Sequence, residues 1–249
     1  MISFENKVVL VTGANGQLGR ELCKQFQENG ATVIGLDIQA EPKTEMFLYC
    51  KGDLVNKHEI EQCLSYFLTR VPSIDILVNN AGVSTFESFE ERSEDAFDWV
   101  MDVNLKGTFS CIQTYVKVVD ELKQHSGAIV NIASLYGIVS PDFRIYTDCD
   151  RKNSEVYGAT KAGVIQMTKY FSVHLASRKI RVNAVSPGGI FNPEMPQGPD
   201  FIKNYSQRCP MERMGAAKEV TDGVLFLSSD LASYITGHNL VIDGGFSAW

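Results

Sequence analysis

Apolar positions along this chain fall into short continuous runs separated by stretches of helical period. Val8–Val11 form one run, ending in a glycine-rich turn; Leu18, Leu22 and Phe26 then recur at helical spacing until Gly30, and TVIGLD (32–37) is strand-like again. This predicts strand, helix, strand. Further apolar runs at Met46–Cys50, Ile76–Val78, Ala128–Ile132, Val182–Val185 and Leu240–Ile242 are separated by helical segments. Strands that alternate with helices pair in parallel through crossovers, which are right-handed almost without exception. The pattern therefore predicts an α/β fold, a single-domain Rossmann-type doubly wound parallel sheet with helices on both faces.

No repeat, low-complexity tract or linker-like shift divides residues 1–249, and a chain of this length buries a full core as one unit. The least regular stretches, about 137–153 and 188–215, each follow a strand. Long irregular segments in a compact domain are more often functional loops than accidents, and these two are expected over the carboxyl ends of the strands, where open sheets bind ligands. Helical segments 93–124 and 154–178 carry apolar residues on more than one face, so each is either covered on both sides or waiting for a partner.

Composition removes several partners. The chain is 44% hydrophobic and 21% charged, with no apolar stretch long enough to span a bilayer, so no membrane insertion is expected. Its 23 Lys plus Arg against 30 Asp plus Glu give a net charge of −7, which repels phosphodiester backbones and anionic lipid; nucleic acid is not an expected partner. The N-terminal MISFENKVVLVTG has an acid before its apolar run and lacks a secretory pattern, so a cytoplasmic location is expected. Cys23, Cys50, Cys63, Cys111, Cys149 and Cys209 are scattered without metal-ligand spacing, so reduced thiols and no metal are expected.

Gly13, Gly16 and Gly19 lie between a predicted strand and a predicted helix. Such a turn needs unusual dihedrals and lets a pyrophosphate approach a helix N-terminus without a Cβ in the way. Asn15, Gln17 and Leu18 of the same turn are expected to contact the dinucleotide. Asp37 closes the second strand, where a carboxylate accepts both ribose hydroxyls and repels a 2′-phosphate; with Ile38 beside it, it favours NAD over NADP, although Arg20 could approach a phosphate. Asp53 and Leu54 in KGDL, and Asn80, Ala81 and Gly82 in NNAG, close further runs at the same sheet edge; singly, each motif could equally be an Asx turn or a helix cap.

Tyr157 and Lys161 stand four apart in a helical segment and so face the same way. A phenol titrates near ~10 and is a poor base at neutral pH, but a fixed ammonium nearby favours phenolate. A tyrosine tuned in this way can move a proton in step with hydride transfer.

With these motifs in place, the chain resembles the short-chain dehydrogenase/reductase family over essentially its whole length. The resemblance is carried, in family order, by TGANGQLG, GDL, NNAG, DVNLKGTF, IVNIAS, YGATK, RVNAVSPGG and VIDGG. It implies Tyr157 as acid/base, Lys161 on the nicotinamide ribose, Ser134 bonding the reacting oxygen, and Asn104 holding a proton-relay water. It also implies Asp53 near adenine, Asn80 and Gly82 near its ribose, and subunits pairing into a homodimer or homotetramer. Pro187, Gly188 and Ile190 are expected at the nicotinamide. Two positions depart from the family pattern. The spacing G-x-x-G-x-x-G is similar to that of the family's longer extended members rather than the short-subunit T-G-x-x-x-G-x-G. Asn192 stands where a threonine often bonds the carboxamide, which puts the Ile190 and Asn192 contacts in question.

The stretch between Ser134 and Tyr157 is longer than the family's usual one. DFRIYTDCDRKNSE adds Arg144, Tyr146, Asp148, Asp150, Arg151, Lys152 and Asn153 between two reactive residues. A loop rich in donors and acceptors suits a sugar, phospho-sugar or nucleotide-linked sugar, arginine being apt for a planar anion. SLYGIVSPDFRIY and GGFSAW also resemble short-chain dehydrogenases of bacterial surface-sugar and flagellin-glycosylation pathways, including those near legionaminic-acid genes. The expected function is NAD-dependent interconversion of a secondary alcohol and a ketone on a polar small molecule. An NADPH-dependent 3-ketoacyl-type reductase and a non-catalytic dinucleotide sensor are the alternatives.

Overall fold

The computed structural model describes residues 2–124, 126–148 and 152–249. Seven strands, β1 (Val8–Thr12), β2 (Thr32–Asp37), β3 (Leu48–Lys51), β4 (Ile76–Asn79), β5 (Gly127–Ile132), β6 (Ile180–Pro187) and β7 (Asn239–Ile242), form one sheet of order β3-β2-β1-β4-β5-β6-β7. Every pairing is parallel, and the order reverses between β1 and β4. That reversal opens a crevice at the carboxyl edge between the two halves of the sheet. All six apolar runs after the first glycine turn became strands; the run at Met46 begins two residues late, because its first residues pass the sheet edge with only Phe47 N–H bonded to the Val33 carbonyl.

The period of two along the strands sends alternate side chains to opposite faces. Val8, Leu10, Ile34, Leu36, Leu77 and Ile129 pack under helices α2 (Lys57–Leu68) and α4 (Thr108–Glu121). Val9, Val11, Val33, Val78 and Val130 pack under α1 (Gln17–Glu28) and α7 (Ala217–Ser228). Both faces are thus covered, as continuous apolar strands require.

The helical stretch 93–124 is not one helix. Between α3 (Glu94–Met101) and α4 lies a π-helical turn, Asp102–Gly107. Such insertions cluster at functional sites, and this one carries Asn104. Stretch 154–178 forms α5 (Glu155–His174) and a short 3₁₀ turn. Helix α6 (Pro199–Arg208) rises from the irregular segment after β6.

One expectation is corrected. Cys50 on β3 and Cys63 on α2 form a disulfide, their Cα atoms 5.7 Å apart, because the β3–α2 crossover folds α2 directly against its own strand. Cys23, Cys111 and Cys209 are free and buried, and Cys149 lies outside the described residues. Among the described residues no cluster of His, Cys, Asp and Glu is arranged to hold a metal ion, and no helix is long and apolar enough to cross a membrane.

Candidate active site

A groove of 650 Å³ runs along the carboxyl ends of β1–β4, lined by Gly13 and Gly16–Gly19 of the turn, by Asp37–Gln39, by Gly52–Val55 and by Asn80–Val83. Gly13 has φ +63°, and a Cβ there would come within 2.7 Å of the Ala81 backbone; a Cβ on Gly19 would sit 2.0 Å from the Gly13 carbonyl. The turn is therefore shaped so that α1 starts directly against the strand end, with its first N–H groups open to the groove. Asn80 fastens this edge: its side-chain amide donates to the Thr12 and Gly13 carbonyls at 3.0 Å each, while the Thr12 hydroxyl accepts from the Asn80 and Ala81 N–H groups.

Asp37 is buried at the groove's far end, one carboxylate oxygen accepting from Asn15 N–H at 2.9 Å and the other from Gln39 N–H at 3.0 Å. Two backbone donors fix its orientation and leave lone pairs on both oxygens. Ile38 is 62% exposed along the same wall. Asp53 accepts from Val55 N–H in an Asx turn, which aims the Gly52–Val55 backbone at the groove, and Leu54 is buried beneath it. Asn15 differs from its expected place. Its side chain turns away from the groove, accepting from Lys43 N–H and donating to the Glu41 carbonyl and the Tyr49 hydroxyl, so it braces the loop after β2. Trp99 and Val103, which no sequence signal singled out, complete the lining.

The groove opens into a 380 Å³ cavity where Ser134, Tyr157, Lys161, Asn153, Pro187, Gly188 and Ile190 meet. Local sequence sets this arrangement. Buried Ser154 caps α5 by accepting from Tyr157 N–H, which fixes Tyr157 in the first turn and Lys161 one turn on. Ser134 stands two residues beyond β5 and accepts from Tyr136 N–H at the start of a short 3₁₀ turn.

Burial dominates the electrostatics. The Lys161 ammonium is enclosed and donates to the Ile132 carbonyl at 2.8 Å; desolvation pulls its pKa down from 10.5 to about 8. The same desolvation pushes the Tyr157 phenol up, with hydrogen bonding from Ser134 pulling it back. The expected lowering of Tyr157 by Lys161 is absent from this arrangement: the lysine is aimed at a backbone carbonyl, and its Nζ is 5.5 Å from the centroid of the tyrosine ring.

Asn104 is buried in the π-turn. Its Oδ1 accepts from Val83 N–H at 2.8 Å, and its amide donates to the Val83 carbonyl and the Thr160 hydroxyl. It thus locks the irregular segment after NNAG to α5. Arg92, missed from the sequence because it stands in an acidic, unpatterned loop, does the same further out. Its guanidinium, buried at 5% side-chain exposure, bridges Thr85, Glu87 and Glu155, the last of these standing two residues before Tyr157.

The stretch between Ser134 and Tyr157 divides. Asn153 reaches the cavity, where its carbonyl oxygen accepts from the Ser84 hydroxyl at 3.2 Å, beside Phe86. Residues 143–148 pack against α6 instead: Asp148 accepts from Phe201 N–H, Thr147 accepts from Asn204, and the Tyr146 and Phe201 rings are 5.1 Å apart. Arg144 is exposed on Asp142, and Lys152 lies over the Phe143 ring. Asp150 and Arg151 lie outside the described residues.

Residues 13–247 match a family model described as enoyl-(acyl carrier protein) reductase. The chain is 36% identical to the 3-oxoacyl-[acyl-carrier-protein] reductase FabG of Thermotoga maritima, over 97% of this chain and 98% of that one. It belongs to the short-chain dehydrogenase/reductase family.

Among solved structures, a short-chain dehydrogenase from Leptospira borgpetersenii with bound NAD+ is 40% identical, with a TM-score of 0.91 over 98% of this chain and 94% of that one. An aldohexose dehydrogenase from Thermoplasma acidophilum in ligand-free form is 30% identical, with a TM-score of 0.85 over 99% and 96%. As a member of this family the protein is an NAD(P)-dependent oxidoreductase acting on CH–OH groups. That activity removes the non-catalytic sensor from consideration.

Proposed function

We propose that this short-chain dehydrogenase/reductase uses NAD to interconvert a secondary alcohol and a ketone on a polar, hydroxyl-rich substrate of the sugar class. The observation that carries the substrate reading is the Ser84–Asn153 hydrogen bond on the cavity wall that also holds Ser134 and Tyr157. A polar rim of this kind offers donors and acceptors to substrate hydroxyls and little to an acyl chain. The likeness to an aldohexose dehydrogenase supports the same class. A place in surface-sugar metabolism belongs to this proposal and is supported by the resemblance of residues 134–146 and the C-terminal segment.

The groove fits a dinucleotide: Gly13, Gly16 and Gly19 leave its pyrophosphate end free of Cβ atoms, and Asp37 presents an oriented carboxylate for ribose hydroxyls. In our reading Gly16–Gly19 hold the pyrophosphate, Asp37 and Ile38 flank the adenine ribose, Asp53 and Leu54 lie at adenine, Asn80–Gly82 back the chain of the cofactor, and Pro187, Gly188 and Ile190 bound the nicotinamide. When bound, the nicotinamide exchanges hydride with the reacting carbon.

Tyr157 gives or takes the proton of the reacting hydroxyl, and Ser134 orients that oxygen. Lys161 holds the nicotinamide ribose and returns protons. Asn104 keeps Val83 and Thr160 in place around them, and the remaining lone pair on its Oδ1 is available to a relay water. Low local dielectric strengthens each of these contacts.

The second reading, NADPH-dependent reduction of a 3-oxoacyl group, is favoured by the FabG relatives and opposed by the Asp37 carboxylate. A homodimer or homotetramer is also proposed, because Tyr170 and Val173 on α5 and Phe109 on α4 are exposed at 62%, 80% and 41%, with Tyr170 and Phe109 both packed against Phe171.

The test is absorbance of reduced nicotinamide with purified protein, NAD+ or NADP+, and a panel of aldoses, phospho-sugars and nucleotide-linked sugars, against 3-oxoacyl thioesters with NADH or NADPH. A Tyr157-dependent signal with NAD+ and a sugar is expected. Turnover confined to NADPH and thioester would replace the first reading by the second.

A further inference from the structure

Gln17 occupies the position of the second glycine in the short-subunit pattern T-G-x-x-x-G-x-G, and nothing in hydride transfer calls for a side chain there. Its location explains what it does. Gln17 is the first residue of α1, and its amide donates to the Phe191 carbonyl at 2.7 Å. Arg20, one turn further on the same helix face, donates to the Glu194 carboxylate at 2.7 Å. Both contacts leap from the pyrophosphate turn to the segment between β6 and α6.

That segment is closed on itself by its own hydrogen bonds. Gln197 donates to the Ile190 carbonyl and Glu194 N–H donates to Asn192 Oδ1, closing it internally. Its base is held by the Ile190–Gly215 bridge and by Gly189 N–H donating to the Tyr205 hydroxyl of α6 at 2.6 Å. Its outer half meets the body of the protein chiefly through Gln17 and Arg20. Gln17 lines the dinucleotide groove and also the 780 Å³ cavity on the far side, between α1, α7 and this segment, so the Gln17–Phe191 contact is the partition between the two spaces.

We propose that Gln17 and Arg20 are positioning residues that clasp residues 190–197 down onto the pyrophosphate turn, enclosing the bound dinucleotide, so that it leaves only when the clasp opens. The inference rests on the family's dinucleotide site and not on the substrate class. The glycine lost from the turn is thereby replaced by a fastening that a glycine cannot make.

The test measures reduced-dinucleotide dissociation by stopped-flow fluorescence, using whichever of NADH and NADPH binds the wild type more tightly, and amide exchange of residues 190–197 in the dinucleotide-free protein. Variants are Gln17→Gly, Arg20→Gln, Glu194→Gln, and the exchanged pair Arg20→Glu with Glu194→Arg. Loss of one contact is expected to raise dissociation about fivefold and to speed exchange across 190–197, the Arg20→Gln and Glu194→Gln effects being non-additive. The exchanged pair is expected to recover a substantial part of the Arg20→Gln loss. Dissociation within about twofold of wild type in both Gln17→Gly and Arg20→Gln overturns the clasp, whether or not melting temperature falls, because a purely structural role lowers stability without opening the groove. Should neither dinucleotide bind the wild type, the cofactor reading fails on its own, and unchanged exchange in the free variants would still overturn the clasp.

Discussion

Lys161 Nζ donates to the Ile132 carbonyl, 2.8 Å away, across the interface between α5 and the end of β5. A lysine enclosed in this way keeps one strong acceptor and gives up its water, and its pKa falls to about 8 from 10.5. In the unfolded chain it binds its proton up to the ordinary value. Between about pH 8 and 10.5 the unfolded state therefore holds more protons at this site, and its contribution to stability rises with pH. Below pH 8 the burial penalty is fully present. Thermal melts of the wild type and Lys161→Met should show the wild type gaining on the variant through that window; a constant difference would mean that the ammonium is solvated.

Tyr157 carries the opposite shift, upward, so it stays protonated at neutral pH and is ready as an acid toward a ketone. Tyr157→Phe keeps the N–H that bonds Ser154, so α5 should start unchanged. Turnover should fall by about 10²–10⁴, with dinucleotide affinity retained by equilibrium titration. Substantial surviving activity would assign the proton transfer elsewhere.

Asp37 is the cofactor discriminator on geometric grounds, its oxygens already fixed by Asn15 and Gln39. Asp37→Ala should shift the ratio of kcat/KM for NADP+ over NAD+ upward by about tenfold or more, since a charged acceptor is lost for one cofactor and a repulsive charge for the other. An unmoved ratio would place discrimination at another residue.

Asp148 supports α6 from outside, its carboxylate accepting from the N–H of Phe201, the third residue of the helix after Gly198. Asp148→Ala should cost about 1 kcal/mol in stability, as loss of an N-terminal cap does, and raise amide exchange in 199–203. A large change in substrate KM with no change in exchange would instead show that this part of the loop touches substrate.

Sequence periodicity alone determined the sheet, its parallel sense and the order of its elements, because strand and helix periods are written in which side chains must leave water. The four-residue spacing also put Tyr157 and Lys161 on one helix face, whereas Ser134 joined them in the sequence only through the family resemblance. What lies between elements distant in sequence was decided only by the tertiary fold. The π-turn that seats Asn104, the rotation of Asn15 away from the groove, the Cys50–Cys63 bond, the buried Arg92 and the Gln17–Phe191 contact all depend on which segments the crossovers bring together. The same holds for electrostatics: the sequence put a lysine near a tyrosine, but burial and a backbone carbonyl chose where the ammonium points. Hydrophobic patterning specifies a fold by averaging over many residues, whereas a single polar side chain finds its partner only after the chain has closed around it.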